Sequence, residues 1–162
     1  MKVIKNGHLV ENPWNHLQED SSIPKGEPVT FSLHRLNALP EDDLNSVGEL
    51  GVRIGPADDL GALKKHLSKI ALVVLEMNPF TDGRSFSQAR NLREQLGYQG
   101  EIRASGDFLR DQMLYLHRLG VDSFEFSENT DLNDRLKAFS EFSVFYQAAQ
   151  DEPLPLYRRR KS

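Results

Sequence analysis

The sequence predicts an α/β fold in which about five βα units build a parallel sheet flanked by helices. Three observations carry this. Ile70–Met77 (IALVVLEM) is an almost unbroken apolar run, as a parallel strand covered on both faces requires. After a polar loop, Phe86, Ala89, Leu92 and Leu96 recur at helical spacing. A pattern of helix, Leu-Gly and strand then occurs twice, at Leu96-Gly97 and Leu119-Gly120. That spacing of 23 residues (120 minus 97) suits one βα unit. An open three-layer sheet and a half of a (βα)8-type barrel both satisfy the pattern, with right-handed crossovers in either case.

Taken in order, residues 1–28 read as an N-terminal arm. Lys2–Lys5 and His8–Val10 flank Asn6-Gly7, the strongest short hairpin signal, and Asn12-Pro13-Trp14 ends it. Glu19–Pro28, with two prolines and Gly26, reads as a linker. Residues 29–149 form a single α/β domain. Its first strand is Val29–Leu36, followed by a short acidic helix at Pro40–Leu44 and a strand at Gly51–Ile54. Asp58–Leu67 has an acidic start, a basic end and a stripe of Leu60, Leu63 and Leu67, which predicts a helix. After Ile70–Met77 the next helix starts at Ser85, with Ser85 and Gln88 as a capping box and Gly97 as the left-handed stop. Glu101–Ser105 is the following strand. Asp107 caps a helix that turns Leu109, Gln112, Met113 and Leu116 inward and ends at Gly120. Ser123–Phe126 is the last strand. Asp131–Ala149 is the last helix, with Leu132, Leu136, Phe139, Phe142 and Tyr146 on one seam suited to core or subunit contact. Residues 150–162 are a tail with the basic run Arg158-Arg159-Arg160-Lys161, which reads as a solvated end.

Ligands of parallel α/β proteins sit beyond the C-terminal ends of the strands. Two loops fall there. In Asn78–Ser85, Gly83 permits close backbone approach. Arg84, Arg90 and the N–H groups at Ser85 suit a phosphate, sulfate or carboxylate. The plainer alternative pairs Asp82 with Arg84 and leaves Ser85 as a cap. In Ala104–Gln112, Gly106 shapes the loop, Asp107 and Asp111 fall four apart on one helical face, and Arg110 lies beside them. Asp82, Asp107 and Asp111 are therefore the candidates for acid–base catalysis, and Arg84, Ser85, Arg90 and Arg110 for anion binding. Gly83, Gly106 and Gln112 are structural neighbours of that site. The plainer reading of Asp107 and Asp111 is a cap and a first-turn acid favoured by the helix dipole.

Composition excludes several classes. The net charge of −4 gives no basic field for nucleic acid. No cysteine is present, so disulfides, thiol catalysis and iron–sulfur ligation fall away. Any redox chemistry then needs a cofactor, which the sequence does not name, or a partner. The five histidines show no metal-ligand spacing, and His117, near a helix end, is expected exposed. There is no GxGxxG and no Walker loop. No apolar run approaches a membrane span and no signal-peptide core opens the chain, so a cytoplasmic protein is expected.

The run Phe80-Thr81-Asp82-Gly83-Arg84-Ser85-Phe86-Ser87-Gln88-Ala89-Arg90, then Leu92-Arg93-Glu94, Gly97-Tyr98, Gly100-Glu101-Ile102-Arg103-Ala104, Gly106-Asp107 and Arg110-Asp111-Gln112, resembles the signature of a bacterial family of unknown function. That family is linked to assimilatory sulfite reduction and described as oxidoreductase. The resemblance spans roughly Gly51 to Phe126 and implies a role beside sulfite reductase. Sulfite and sulfate are oxyanions, so the resemblance meets the residues at the arginine-bearing loops. No side chain here performs multi-electron reduction, so an accessory protein acting through Arg84, Arg90 and Arg110 is the expectation. The alternatives are a small enzyme acting on a phosphorylated or sulfonated metabolite, and a homo-oligomeric interaction module built on the aromatic last helix.

Overall fold

The computed structural model describes residues 1–77 and 83–141. In chain order the elements are β1 (Lys2–Lys5), β2 (His8–Glu11), β3 (Asn15–His16), β4 (Pro28–Ser32), α1 (Leu33–Ala38), α2 (Glu41–Asn45) and β5 (Glu49–Ile54). A 3-10 turn (Leu60–Leu63) leads to β6 (Ile70–Met77), α3 (Arg84–Glu94), β7 (Glu101–Gly106), α4 (Arg110–Arg118), β8 (Ser123–Glu125) and α5 (Leu132–Glu141). All eight strands join one sheet in the order β2-β1-β8-β7-β6-β5-β4-β3. β3 to β8 are parallel, while β1 pairs antiparallel with both β2 and β8. The apolar run Ile70–Met77 is the central strand it was expected to be.

The connection from β2 to β3 decides the shape. These strands are the two edges of the sheet, yet only Asn12, Pro13 and Trp14 join them. Four Cα steps reach at most ~15 Å, whereas the outer strands of a flat eight-stranded sheet lie ~33 Å apart. The sheet therefore has to curl, and it is a half-barrel rather than an open three-layer sheet. His16 on β3 closes the open side by reaching Glu125 on β8, at 2.9 Å.

The convex face carries the apolar core. Val29, Phe31, Val52, Ile54, Val73, Leu75, Ile102, Ala104 and Phe124 pack under Leu36, Ala89, Leu92, Met113 and Leu116 of the helices. The concave face is different: Val3, Leu72 and Val74 are buried there, apart from that cluster, and charged and hydroxyl side chains fill the rest. Trp14 lies across this face against Gly51, where an added Cβ would stand 3.0 Å from its ring and 2.8 Å from Thr30 Cγ2.

Several expected elements are altered, each for a local reason. The strand from Val29 stops at Ser32, because the Ser32 hydroxyl accepts from Arg35 N at 3.1 Å and starts α1, whose Leu33 and Leu36 face the core. The helix expected over Asp58–Leu67 is only the 3-10 turn, with Asp59 capping Gly61 N. α3 begins one residue early, at Arg84, and Ser85 and Gln88 form no capping box because the Gln88 amide goes to Gly55 O instead. α4 begins at Arg110 with Leu109 as its N-cap, so Asp107 lies before the helix. Leu109 is 68% exposed rather than inward. His117 is half-buried, not exposed. It lies 3.2 Å from Val121 O, and burial holds its pKa below the usual value. On α5, Phe139 is buried against Phe124, with Leu132 and Leu136 partly buried beside the core. Phe142, Tyr146 and the tail lie outside the described residues.

Candidate functional site

α3 is anchored at its far end by a buried arginine. Arg93, 1% exposed, donates to Tyr98 O, Gly100 O and Gly120 O and pairs with Asp122 at 2.7 Å. That clamp fixes the helix against the loops bounding β7 and β8. The start is Gly83, whose φ of +86° is a left-handed conformation that favours glycine. Among the described residues no side chain caps this end. The first N–H groups of any helix lack intrahelical acceptors, and the helix dipole makes that end attractive to anions. Ser85, in the first turn, is fully buried, and its hydroxyl has no partner among the described residues. Gln88, one turn on, donates to Gly55 O at 2.9 Å and Asp58 O at 3.4 Å. Its Oε1 is buried without a partner among the described residues.

The arginines of this rim differ in their engagements. Arg84 and Arg90 are both exposed. Arg90 donates to the Tyr115 hydroxyl at 3.3 Å, and the Tyr115 ring packs on Phe86 at 5.4 Å, so α3 and α4 meet here. Arg110 pairs with Asp134 at 2.7 Å and ties α4 to α5.

The second loop starts at Gly106, paired with Met77 at the end of β6. Asp107 and Asp111 are exposed. Because Asp107 precedes α4, the two carboxylates do not share a helical face. Asp107 instead accepts from the Ser127 hydroxyl at 3.2 Å. Gln112 is exposed, not inward, and its Oε1 accepts from Leu109 N at 2.9 Å, closing the start of α4. Asp82, the third carboxylate expected at the site, lies outside the described residues. Among the described residues no group of three or more His, Asp or Glu side chains is placed to hold a metal ion.

Sequence reasoning missed the polar concave face. Arg103, 2% exposed, donates to Ser123 Oγ at 3.1 Å, Asn12 Oδ1 at 2.8 Å, Glu125 Oε2 at 3.2 Å and Glu101 Oε1 at 2.9 Å. Ser123 donates to Glu101 Oε1 at 2.6 Å, and Lys5 reaches Glu101 Oε2 at 2.6 Å. His16 Nδ1 lies 2.7 Å from the buried Thr30 hydroxyl, while Nε2 donates to Glu125. Burial alone would raise the pKa of both glutamates. For Glu101 it is outweighed by Lys5, Ser123 and Arg103, and for Glu125 by His16 and Arg103, so both are held below the usual range. A period-two signal was present: Glu101, Arg103 and Ser105 alternate with Ile102 and Ala104, and Ser123 and Glu125 flank Phe124. These charges answer one another and link β1, β3, β7 and β8 across the concave face.

One family model matches residues 51–157, more than half of the chain, and describes bacterial proteins of unknown function. The chain belongs to the DUF934 family. The DUF934 match begins on β5, so Arg84, Ser85, Arg103, Arg110 and Glu125 lie inside it. Asn12, Trp14 and His16, which close the concave side, precede it. Comparison with curated proteins finds no match. No helix among the described residues is long and apolar enough to cross a membrane.

Proposed function

We propose that this protein is an accessory component of assimilatory sulfite reduction that recognises an oxyanion at the start of α3. One observation carries the reading: an 11-residue helix begins on a left-handed glycine, and among the described residues no side chain caps it and the buried serine hydroxyl of its first turn has no partner. Helix N–H groups, the Ser85 hydroxyl and the Arg84 guanidinium are the donor set that an oxyanion takes. The sulfite connection comes from the signature running from Phe80 to Gln112. A chain without cysteine carries no thiol redox chemistry, and in this reading the protein serves the reductase by binding.

Two measurements test the reading. Pull-down of the full chain from sulfate-grown cells should recover sulfite reductase, and a deletion strain should use sulfite poorly. Calorimetric titration with sulfite or sulfate should show binding that Arg84→Ala weakens about 10- to 100-fold, as for a lost charge-assisted hydrogen bond. Arg84 is exposed, where even a paired charge contributes at most about 1 kcal/mol, so the same variant should unfold within about 1 kcal/mol of the wild type. Wild-type protein that takes up neither anion sinks the oxyanion site. Recovery of no reductase, together with normal sulfite use in the deletion strain, sinks the accessory role.

A further inference from the structure

We infer that the α3 site selects a singly protonated oxyanion, of the hydrogenphosphate or hydrogensulfite type, over fully deprotonated sulfate. The inference rests on the oxyanion reading above and specifies its ligand. Five buried side-chain polar atoms have no partner among the described residues: Asn37 Oδ1, Arg53 Nε, His66 Nε2, Ser85 Oγ and Gln88 Oε1. Two of the five lie three residues apart on α3. Residues so spaced are neighbours on a helix surface, with Cβ atoms ~5–6 Å apart. Helical side chains lean toward the N-terminus, so Gln88 covers the turn that holds Ser85.

The orientation of the Gln88 amide is determined. Its Nε2 faces two carbonyl oxygens, Gly55 O and Asp58 O, and a flipped amide would set Oε1 against both. Oε1 is therefore a buried acceptor without a partner among the described residues, carried one turn along the helix from Ser85. Ser85 Oγ can donate but has nothing to donate to. A ligand hydroxyl satisfies both, since it gives its proton to Gln88 and accepts from Ser85. The other ligand oxygens then take the first-turn N–H groups and Arg84. The carboxylates of the adjoining loop are engaged within it, Asp58 accepting from Gly55 N and Asp59 from Gly61 N. Sulfate at neutral pH has no proton to offer, so it leaves Gln88 Oε1 unsatisfied, whereas hydrogenphosphate and hydrogensulfite satisfy it.

The test is titration of the full chain with sodium phosphate, sodium sulfite and sodium sulfate at neutral pH and equal ionic strength. Phosphate and sulfite should bind about tenfold more tightly than sulfate, the equivalent of one hydrogen bond left unmade. Gln88→Met, which keeps the volume and removes the acceptor, should erase that gap. Ser85→Ala should weaken all three anions about tenfold while raising the melting temperature of the ligand-free protein, because it deletes a buried hydroxyl with no partner. Equal affinity for the three anions in the wild type overturns the inference without touching the oxyanion reading, and means that Ser85 and Gln88 share only a water. Absence of binding by all three overturns both. The wild-type ranking decides by itself, so the outcome does not depend on how well either variant folds.

Discussion

Replacing Arg103 with methionine lowers the unfolding free energy by about 3–5 kcal/mol, the expected effect of removing one partner from a buried ion network. In a domain of this size that is a fall in melting temperature of roughly 6–20 °C. The reason is not the loss of Arg103 packing, which methionine largely replaces. Arg103 holds Glu101 at 2.9 Å and Glu125 at 3.2 Å on the concave face, and it also answers Asn12 and Ser123. Without it Glu125 stays buried and Glu101 largely so, with Lys5, Ser123 and His16 as their remaining partners among the described residues. The pH dependence identifies the mechanism. Both carboxylates are held below their usual pKa in the folded protein. Their contribution is therefore present above the unfolded value, about 4.3, and is lost as pH falls through the lower folded value. In the variant the same groups protonate more readily. The gap between wild type and variant should be widest at neutral pH and should narrow towards about pH 4. Urea unfolding at the two pH values measures it. A gap that does not change with pH would assign the loss to packing instead.

The concave cluster also shows where the sequence was legible and where it was not. Ile70–Met77 announced the central strand because its apolar run needs no partner to be recognised. Phe86, Ala89 and Leu92 announced α3 by period, and Gly97 and Gly120 do sit at positive φ where helix ends were expected. Closure was illegible because it depends on pairs such as His16 and Glu125, 109 residues apart in the chain. No local pattern encodes that distance. The alternating polar positions of β7 and β8 were visible, but a strand with charges on one face reads equally well as a solvent-facing edge. Only the curl shows that Arg103 and Glu125 point inward. Capping failed for a related reason. Asp107 is the better intrinsic N-cap, yet α4 starts at Arg110, because Phe108 is buried against Phe124 and Phe126 and Gln112 closes the helix start from Leu109 N. At the other loop, tertiary demand took Gln88 from its capping partner and sent it to Gly55 O. Two of the departures, at Gln88 and at Asp107, fall on the loops that follow β6 and β7, where a ligand is proposed.

Gly106→Ala is expected to be the other severe substitution, and it separates the scaffold of that rim from its ligand contacts. Gly106 has φ +144°, and an added Cβ would stand 2.3 Å from Met77 O. The obstacle is the backbone of the neighbouring strand, paired with Gly106 in register, so no side chain can swing away to make room. Backbone strain of about 1–3 kcal/mol adds to an overpacking cost of about 1–3 kcal/mol, for a loss of roughly 2–6 kcal/mol. Relief requires β6 and β7 to part at their C-terminal ends. Met77, the last residue of β6, precedes Gly83 and α3 in the chain, and α3 packs on β6. Parting the strands should therefore shift the start of α3 and weaken oxyanion binding together with stability. Arg84→Ala should instead weaken binding while costing at most about 1 kcal/mol of stability. If Gly106→Ala melts like the wild type, the tight pairing of Met77 with Gly106 does not constrain the fold. If it melts low yet binds oxyanions with wild-type affinity, the site is positioned by the clamp at Arg93 rather than by the end of β6. Those two anchors lie at opposite ends of α3, so this pair of variants tells which one sets the geometry of the helix start.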